Sequence, residues 1–464
     1  MNDIFDDVVH QMATIKIPVY VEAAAGCGKT EAIAKAVAQT EGRQLVLTHT
    51  HAGIAVLRSR LNKYNVPHSK YRIATIASWL LKYVLAYPSM SKFTNPRPSS
   101  KEWSQVYPAA QKLFAYPFVK DVLCASYDGV FVDEYQDCTK SQHVIIKKVS
   151  EFLPVCVLGD PLQGIFGFNQ DPAVDWESDV KKIFTPLLPL QKPYRWLKDG
   201  NNQELGEQIA KIRDLLLAGR DVDLRNYSPI CWEKWSSERE EEVLLNFNEA
   251  GTMAGIYAGH KDKVKEEHLD RITGRKTGGQ YQCIEEMDCY ALQREAREFD
   301  IALGKNLFQM KHRLKCFIEQ GITEQSKQTA LQEVKSEIDK LDMDSFISSI
   351  PMIINLASQK LLVYRKELFQ EMKKAAQEFN TKKYEKFSEA AYAVRDKTRI
   401  NGRRMLENRI ISRTLLIKGL EFDHVIVLNV DHIQSGDNSK SNFYVAITRG
   451  AKSLTVLSSS PVFK

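Results

Sequence analysis

Two short segments of this 464-residue chain combine residue types that can hold phosphate and activate water. The first joins small residues to a lysine and a threonine, in the order Ala23-Ala24-Ala25-Gly26-Cys27-Gly28-Lys29-Thr30. Small residues let backbone N–H groups close around phosphate oxygens, and a following helix points its N-terminus at the anion. Lys29 is then expected to contact the outer phosphates and Thr30 to place its hydroxyl on magnesium. The predicted nucleoside triphosphate site consists of Ala25, Gly26, Cys27, Gly28, Lys29 and Thr30.

The second segment puts two adjacent carboxylates after an apolar strand, in the order Phe131-Val132-Asp133-Glu134-Tyr135-Gln136-Asp137. A carboxylate at a strand end can hold magnesium while its neighbour polarises water for in-line attack on a phosphate. The alternative is a charged turn that caps the strand. We favour catalysis because the phosphate-binding pattern lies about a hundred residues earlier, after a separate strand. Asp133 is therefore predicted to bind magnesium together with Thr30, and Glu134 to activate water.

These segments must be positioned by a sheet, and the apolar pattern predicts one. Short apolar strands alternate with helical spacing along the N-terminal part of the chain. The predicted strands cover 18–22, 44–48, 131–133 and 155–159, and the predicted helices cover 31–39, 52–61 and 141–151. Strands that alternate with helices indicate a parallel sheet covered on both faces. The predicted fold class is therefore α/β.

A second α/β unit is predicted after Pro193, from apolar strands at 253–257, 425–430 and 454–457. The long segment 285–404 that interrupts this unit has helical spacing throughout. Its lysines and arginines fit solvated helix faces better than a nucleic-acid patch, because glutamates lie beside them. In the first unit, the stretch 87–101 is rich in proline and serine, which indicates a surface excursion.

Composition narrows the class of protein. The formal net charge is +6, with 44% hydrophobic and 26% charged residues, as in an ordinary soluble protein. A mildly basic charge is compatible with nucleic acid without indicating it. No apolar run is long enough to cross a bilayer, and the acidic N-terminus is unlike a signal peptide. The eight cysteines show no C-x-x-C spacing, which favours free thiols over a metal site. A cytoplasmic protein without membrane association is expected.

Taken in order along the chain, eight segments resemble the motifs of superfamily 1A helicases of the UvrD/Rep/PcrA type. They are the phosphate-binding loop and the segments 46–52, 74–79, 132–137, 157–168, 193–195, 417–422 and 444–449. The resemblance implies two RecA-like parallel-sheet domains with an ATP cleft between them, and ATP and Mg²⁺ as cofactors. The implied limits are 1–87 and 125–192 for the first domain, 88–124 for its short insertion, 193–284 and 405–464 for the second domain, and 285–404 for its helical insertion.

The resemblance also implies roles for residues outside the two segments. Gln163 would sense the terminal phosphate and couple it to a neighbouring DNA groove. Tyr194 would stack on adenine, and Glu421 would hydrogen-bond the ribose. Arg195 and Arg449 would reach the γ-phosphate, since a planar and permanently charged guanidinium matches phosphate oxygens. The alternative for each arginine is a surface ion pair, which contributes little.

Single-stranded nucleic acid is held by aromatic stacking and phosphate contacts rather than by base reading. The resemblance assigns stacking to Phe168 and His49, and phosphate contacts to Thr50 and Thr75. The alternatives are core packing for Phe168 and a surface position for His49. Trp79 is a further stacking candidate, for which core packing is the favoured interpretation.

The chain departs from the family pattern at Ala23, Glu31 and Leu415, and around Gln11. Ala23 replaces the usual first glycine of the loop, and Glu31 replaces a basic residue after it. Leu415 stands where a histidine normally precedes the lysine of the fifth motif, which weakens a polar link between the ATP site and DNA. Gln11 is the candidate for the glutamine that reads adenine, but its neighbours fit that pattern poorly.

These features predict an ATP-dependent DNA helicase or translocase that moves 3′ to 5′ on single-stranded DNA or on a duplex with a single-stranded tail. The first insertion is short beside those of full-size relatives, which indicates work with a protein partner. The resemblance implies a role in anti-phage defence or DNA repair. The size and layout are similar to helicase subunits encoded beside OLD-family nucleases, as in Gabija systems.

An alternative of a different class is a nucleotide-switched DNA-binding subunit that recruits or licenses a nuclease without net unwinding. A small-molecule kinase with the same loop would leave Gln163, Tyr194 and Arg195 unexplained. The choice of DNA over RNA follows from the family alone.

Overall fold

The computed structural model describes residues 4–96, 98, 102–165, 171–198, 200–257, 280–283, 290–323, 325–401, 408–433 and 438–464. The chain divides into two compact units, residues 1–220 with 437–448 and residues 221–436 with 449–464. Each unit is built around its own six-stranded sheet. None of the described helices is long and apolar enough to cross a membrane.

Six short strands form the sheet of the first unit. They are β1 Val19–Glu22, β2 Gln44–Thr48, β3 Tyr71–Thr75, β4 Gly129–Val132, β5 Val155–Gly159 and β6 Thr185–Pro186. Their order is β3-β2-β4-β5-β1-β6, and every neighbouring pair is parallel. In the register, Glu22 lies opposite Gly159 and Val132 lies opposite Val157. Because parallel strands end at one edge of a sheet, the segments that follow β1, β4 and β5 start side by side.

Helices cover both faces of this sheet. They are α1 Ile4–Ala13, α2 Lys29–Gln39, α3 His51–Lys63, α4 Ile76–Ala86, α5 Pro88–Ser91, α6 Trp103–Phe114, α7 Pro117–Ser126, α8 Lys140–Ser150 and α9 Gln203–Leu217. Successive residues of β2 alternate between two cores, with Leu45 and Leu47 packed in one and Val46 in the other. A strand that is buried on both faces needs apolar residues throughout, which explains the continuous apolar runs in the sequence.

The sheet of the second unit is also parallel throughout. The strands of this unit are β7 Val222–Asp223, β8 Cys231–Lys234, β9 Met253–Tyr257, β10 Gln282–Cys283, β11 Arg409–Arg413, β12 Phe422–Leu428, β13 Gly450–Ser458 and β14 Val462–Phe463. The sheet order is β10-β11-β9-β12-β13-β8, while β7 and β14 form a separate antiparallel pair. The helix α10 Ser237–Leu245 packs Leu244 into the core beside β9 and β12.

Six described helices lie between β10 and β11. They are α11 Tyr290–Leu303, α12 Leu307–Gln320, α13 Gln328–Asp339, α14 Phe346–Lys360, α15 Lys366–Phe379 and α16 Phe387–Asn401. Their apolar sides form one continuous cluster, in which the rings of Phe317 and Phe369 stack with centroids 4.8 Å apart. The predicted fold class, α/β with two RecA-like parallel sheets and a helical insertion in the second, is confirmed.

Two further segments group with the first unit by their contacts. Both the segment 193–220 and the last helix, α17 Ser439–Ile447, belong to the first unit. Arg195 N donates to Gly26 O at 3.1 Å, and a Cβ on Gly206 would lie 2.7 Å from Trp196 Cβ. The segment after Pro193 is therefore packed between the phosphate-binding loop and α9. Apolar patterning locates such elements, but it does not indicate the sheet on which they pack.

Candidate nucleotide site

The loop between β1 and α2 has the backbone of an anion-binding loop. Gly26 and Gly28 have φ angles of +73° and +84°, which residues with side chains rarely adopt. A Cβ on Gly26 would lie 2.8 Å from Arg195 Cβ, so the loop has room for glycine alone at this point. Cys27 N donates to Ala24 O at 3.2 Å before α2 begins. The loop therefore directs the N-terminus of an 11-residue helix toward an anion.

Lys29 is a buried cation at the start of α2, with 8% of its surface exposed. Its Nζ donates to Ala23 O at 3.3 Å and lies 3.7 Å from Glu134 Oε1. Burial opposes the charge, yet nearby carboxylates, foremost Glu134 and then Asp160, outweigh burial and raise the pKa of Lys29. The ammonium therefore stays charged at the loop, where it can meet an outer phosphate.

Thr30 and Asp133 bring two oxygen donors together. Thr30 Oγ1 donates to Asp133 Oδ2 at 3.1 Å, and Asp133 Oδ1 accepts from Glu134 N at 3.0 Å. Burial, and next the Glu134 carboxylate, raise the pKa of Asp133 to about 7. A divalent cation would favour the ionised form, and hard oxygen donors are the ligands that Mg²⁺ takes. These two residues therefore fit the predicted magnesium position.

The protein oxygens of this candidate magnesium site come from Thr30 and Asp133. Within the described ranges, no group of three or more His, Cys, Asp or Glu side chains could hold a metal ion. Mg²⁺ is commonly bound by one or two protein oxygens together with phosphates and water.

Glu134 has a left-handed backbone conformation, with a φ of +56°, directly after Asp133. Residues other than glycine adopt this conformation at some cost, and such strain clusters at functional sites. The turn leads into the short 3₁₀ helix Tyr135–Asp137. The Glu134 side chain is 31% exposed and accepts a hydrogen bond from Gln136 Nε2. This carboxylate is therefore both accessible to water and oriented by its neighbour, as a general base requires.

Asp160, which follows β5, organises a second group beside the loop. It is fully buried, and its Oδ2 accepts from Gln163 Nε2 at 2.9 Å. Its Oδ1 accepts from Arg213 Nη2 at 3.1 Å. Gln136 Oε1 accepts from Asp160 N at 3.1 Å, which ties the segment after β5 to Glu134. Sequence reasoning missed Arg213, because one arginine in an amphipathic helix belongs to no motif.

Tyr194 and Arg195 lie in the segment that borders the loop. The ring of Tyr194 meets Phe5 edge-on with centroids 5.2 Å apart, and Lys192 Nζ lies 5.1 Å from the Tyr194 centroid. Arg195 is 7% exposed, and its Nη1 donates to Thr448 O. Arg195 is therefore a buried guanidinium, and the alternative of a surface ion pair is wrong for it.

Tyr444 of α17 contacts the loop directly, a role that the sequence did not reveal. Ala25 N donates to the Tyr444 hydroxyl at 3.2 Å. The side chain is 1% exposed, and its burial raises the pKa of Tyr444 well above the usual range. One backbone N–H of the loop is thus hydrogen-bonded to a neutral phenol. The segment 444–449 matches a motif, but 419 positions separate these two residues, so only the fold joins them.

In the second unit, Glu421 and Arg449 lie near one another. Arg449 is 2% exposed, and its Nη1 donates to Leu420 O at 3.2 Å. Phe422 N donates to Arg449 O at 3.0 Å, and Glu421 between these two contacts is exposed. Arg449 is thus a buried and oriented guanidinium, and a surface ion pair is wrong for it as well.

The two predicted phosphate-contacting threonines cap neighbouring helices. Thr50 Oγ1 accepts from Gly53 N at 3.0 Å at the start of α3. Thr75 Oγ1 accepts from Ser78 N at 3.0 Å at the start of α4. Since β2 and β3 are parallel neighbours, both helix N-termini lie at one edge of the sheet. Helix N-termini with backbone N–H groups are suited to phosphate contacts.

The predicted aromatic contacts have different surroundings. His49 Nε2 lies 3.5 Å from Cys138 Sγ. Phe168 lies outside the described residues. Trp79 is 2% exposed and packs edge-on against Phe114 with centroids 5.3 Å apart. The interpretation of Trp79 as a core residue is confirmed.

Glu31, one of the departures from the family pattern, links α2 to α3. Lys63 Nζ donates to Glu31 Oε1 at 2.6 Å, and the Tyr64 hydroxyl donates to the same oxygen. Burial opposes the negative charge, but these hydrogen bonds outweigh it and lower the pKa of Glu31. Leu415, another departure, is 37% exposed.

One segment of the chain, which overlaps this site, is similar to a known family. Residues 102–172 match the UvrD/REP helicase N-terminal domain. The matched range includes Asp133, Glu134 and Gln163, and it follows the phosphate-binding loop.

Curated relatives match over a longer stretch. The chain is 25% identical over 169 residues to the ATP-dependent DNA helicase PcrA of Staphylococcus aureus, in strains COL and MW2. The alignment covers 36% of this chain and 20% of each relative. The chain thus spans about a fifth of the length of the curated relatives that it matches.

Two solved structures show a distant likeness. The crystal structure of Arterivirus nonstructural protein 10 (helicase) is 11% identical with a TM-score of 0.37, over 97% of this chain and 61% of that chain. The Pif1 helicase from Bacteroides in complex with ADP-AlF3 and ssDNA is 13% identical with a TM-score of 0.33, over 57% and 55%. Neither likeness bears on activity. The matched segment and the curated relatives thus show a likeness to UvrD-type helicases over part of the chain.

Proposed function

We propose that this chain is an ATP-dependent DNA helicase or translocase that moves 3′ to 5′ along single-stranded DNA. One observation carries the proposal, namely that the phosphate-binding loop meets the acidic strand end. Thr30 Oγ1 lies 3.1 Å from Asp133 Oδ2, and Lys29 Nζ lies 3.7 Å from Glu134 Oε1. A phosphate-binding cation, a magnesium position and a water-activating carboxylate are thereby within reach of one triphosphate. The match to the UvrD/REP helicase N-terminal domain supports DNA as the second ligand.

Hydrolysis in this proposal depends on positioning and charge. Lys29 binds the outer phosphates and offsets the charge that develops on them. Glu134 accepts a proton from water as the water oxygen attacks the γ-phosphorus and the bond to the β–γ bridging oxygen breaks. Magnesium bound by Thr30 and Asp133 would offset charge on the β- and γ-oxygens. Gln163 contacts the terminal phosphate and reports its presence to the DNA site.

Two arginines supply further positive charge to the γ-phosphate in this proposal. Arg195 and Arg449 are 7% and 2% exposed, respectively. Each donates to a backbone carbonyl, which orients its guanidinium, and a planar guanidinium matches the geometry of phosphate oxygens. Tyr194 is proposed to stack on adenine and Glu421 to bind the ribose.

Single-stranded DNA is proposed to bind at the sheet edge where β2 and β3 end. Thr50 and Thr75 would contact phosphates there, and His49 and Phe168 would stack on bases. Contacts of this kind bind single-stranded DNA with little preference for base sequence, as a translocating enzyme requires.

A protein partner of the nuclease class completes the proposal. In the described part of the predicted insertion 88–124, the helices are α5, α6 and most of α7, and α6 buries Leu113 in the core of the first unit. A small insertion leaves little surface for handling duplex DNA, so a partner would supply that function. We place the complex in the cytoplasm, in anti-phage defence of the Gabija type or in DNA repair.

The decisive experiment measures ATP hydrolysis with and without oligo-dT. Glu134→Gln should lower the DNA-stimulated rate at least about 100-fold, because the amide cannot accept the water proton. Binding of a fluorescent ATP analogue should persist. Glu151→Gln is the matched control, since Glu151 is exposed at the end of α8 and pairs with Lys148. Unchanged hydrolysis in Glu134→Gln would falsify the proposal.

A second candidate is a nucleotide-switched subunit that closes on DNA and licenses a nuclease without net unwinding. Leu415 favours this second candidate. It is an exposed apolar residue at the position where the family normally has a histidine that links the ATP site to DNA. Strand release from duplexes with 3′ or 5′ tails separates the two candidates. Release of the 3′-tailed duplex by the purified chain excludes the switch and establishes the direction.

A further inference from the structure

Arg213 and Asp160 form a buried ion pair beside the phosphate-binding loop. Asp160 is fully buried, and the Arg213 side chain is 14% exposed. Arg213 Nη2 donates to Asp160 Oδ1 at 3.1 Å. Burial opposes the charge on Arg213, but the Asp160 carboxylate outweighs burial and raises the pKa of the guanidinium. Arg213 therefore supplies the charge that a fully buried carboxylate requires.

The same carboxylate orients Gln163. Asp160 Oδ2 accepts from Gln163 Nε2 at 2.9 Å, while Oδ1 accepts from Arg213 and from Leu162 N at 3.3 Å. An ionised carboxylate only accepts hydrogen bonds, so the amide must turn Nε2 toward Asp160 and Oε1 away from it. Arg213 thus controls, through Asp160, the direction in which the Gln163 amide points.

This arrangement also reaches the water-activating residue. Asp160 N donates to Gln136 Oε1 at 3.1 Å, and Gln136 Nε2 donates to Glu134. This link runs through the backbone N–H of Asp160, whereas Arg213 and Gln163 both contact the Asp160 carboxylate. A change in the carboxylate alone is therefore expected to act on Gln163.

We propose that Arg213 is a positioning residue for ATP hydrolysis, which holds Asp160 and thereby fixes the orientation of the Gln163 amide. The inference rests on the proposed function, because that function gives Gln163 its contact with the terminal phosphate. The ordinary alternative is an ion pair that only stabilises the first unit. Positioning acts on kcat through Gln163, whereas a purely stabilising pair acts on kcat independently of Gln163 or not at all.

The test is a double-mutant cycle of Arg213→Met and Gln163→Ala in the full chain, read as kcat and KM for ATP with and without oligo-dT. Arg213→Met should lower kcat about 10- to 100-fold and change KM less than about twofold. The double variant should be no slower than Gln163→Ala, because both changes remove one interaction.

Two further variants act as controls. Arg213→Lys retains the charge and should recover part of kcat. Lys211→Met changes an exposed residue on the same helix and should leave kcat as in the wild type. A wild-type kcat in Arg213→Met, or effects that multiply in the double variant, would overturn the inference.

Arg213→Met alone leaves the buried Asp160 carboxylate without its ion-pair partner and could prevent folding. If it does, the double variant Asp160→Asn with Arg213→Met removes that buried charge. This double variant should have a urea midpoint near that of the wild type. It should still show the low kcat, because the amide introduced at position 160 can donate to Gln163 and so allow the Gln163 amide to turn its oxygen toward residue 160. A wild-type kcat in this variant overturns the inference as well. Failure of the proposed function gives a different result. If DNA does not stimulate ATP hydrolysis by the wild type, the helicase or translocase function is contradicted. The double-mutant cycle measured without DNA still tests the role of Arg213.

Discussion

Thr30 Oγ1 donates a hydrogen bond of 3.1 Å to Asp133 Oδ2, although 103 positions separate the two residues in the chain. The contact joins the start of α2 to the end of β4, across a sheet in which β5 lies between β4 and β1. Neither residue alone indicates a metal position. Together they place a hydroxyl and a carboxylate at one point beside the phosphate-binding loop.

Loss of either oxygen should raise the magnesium requirement. We expect Thr30→Ala and Asp133→Asn to lower kcat for ATP at least about 100-fold, because a cation on the phosphates stabilises the transition state by several kcal/mol. The measurement is ATP hydrolysis against MgCl₂ at constant ATP. Thr30→Ser keeps the hydroxyl and should behave as the wild type, and EDTA should abolish hydrolysis in all variants. An unchanged magnesium curve for Thr30→Ala would contradict the assignment.

Trp79 should act on stability rather than on DNA binding. Its ring is 2% exposed and meets Tyr83 and Phe114 edge-on. Trp79→Ala should lower the free energy of unfolding by about 3–5 kcal/mol, the cost of a large cavity, in urea titrations. Trp103→Ala, at a half-buried position, should cost less. The smaller change Trp79→Phe should leave oligo-dT affinity within about twofold of the wild type; a lost affinity at unchanged stability would show that Trp79 stacks on bases.

Asp423 should make the second unit sensitive to acid. Lys452 Nζ lies 2.8 Å from Asp423 Oδ1, and Thr252 donates to Oδ2 through both N and Oγ1. The hydrogen bond from Lys452, and next those from Thr252, lower the pKa of Asp423 from 3.8 to about 2. The folded pKa lies below the unfolded one, so the stabilisation is present above pH ~4 and disappears as the pH falls through about 2.

Asp423→Asn tests this dependence. The carboxylate is 27% exposed, so solvent screening reduces its contribution, and we expect a loss of about 1 kcal/mol at pH 7. Urea titrations of the wild type and the variant should differ by this amount at pH 7 and at pH 5. The two should converge near pH 2, where the native carboxyl is protonated. A difference that persists at the lowest pH would assign the effect to packing.

Much of the site was predictable because its chemistry is local. Gly26 and Gly28 indicate a backbone with positive φ angles, and Lys29 follows them at the start of a helix. Asp133 and Glu134 end a strand whose apolar residues face two cores. Each of these features depends on neighbours within a few positions, so residue order alone indicates it.

The segment after Pro193 marks the limit of such reasoning. Residue order alone does not indicate that its contacts join it to the first unit. Trp196 and Gly206 explain these contacts, because a Cβ on Gly206 would lie only 2.7 Å from Trp196 Cβ. The size of the side chains at this contact between distant elements decides the packing. The hydrophobic periodicity of the sequence does not indicate such a contact.

The sequence by itself determined the α/β class, the phosphate-binding loop and the pair of carboxylates, because strand and helix periodicities and a short motif suffice for these. Only the tertiary structure decided which residues complete the site. Arg213 reaches Asp160, and Tyr444 reaches Ala25 N, because separate elements pack at one sheet edge. These contacts depend on the direction of buried side chains across hundreds of positions, and that direction is a property of the assembled fold.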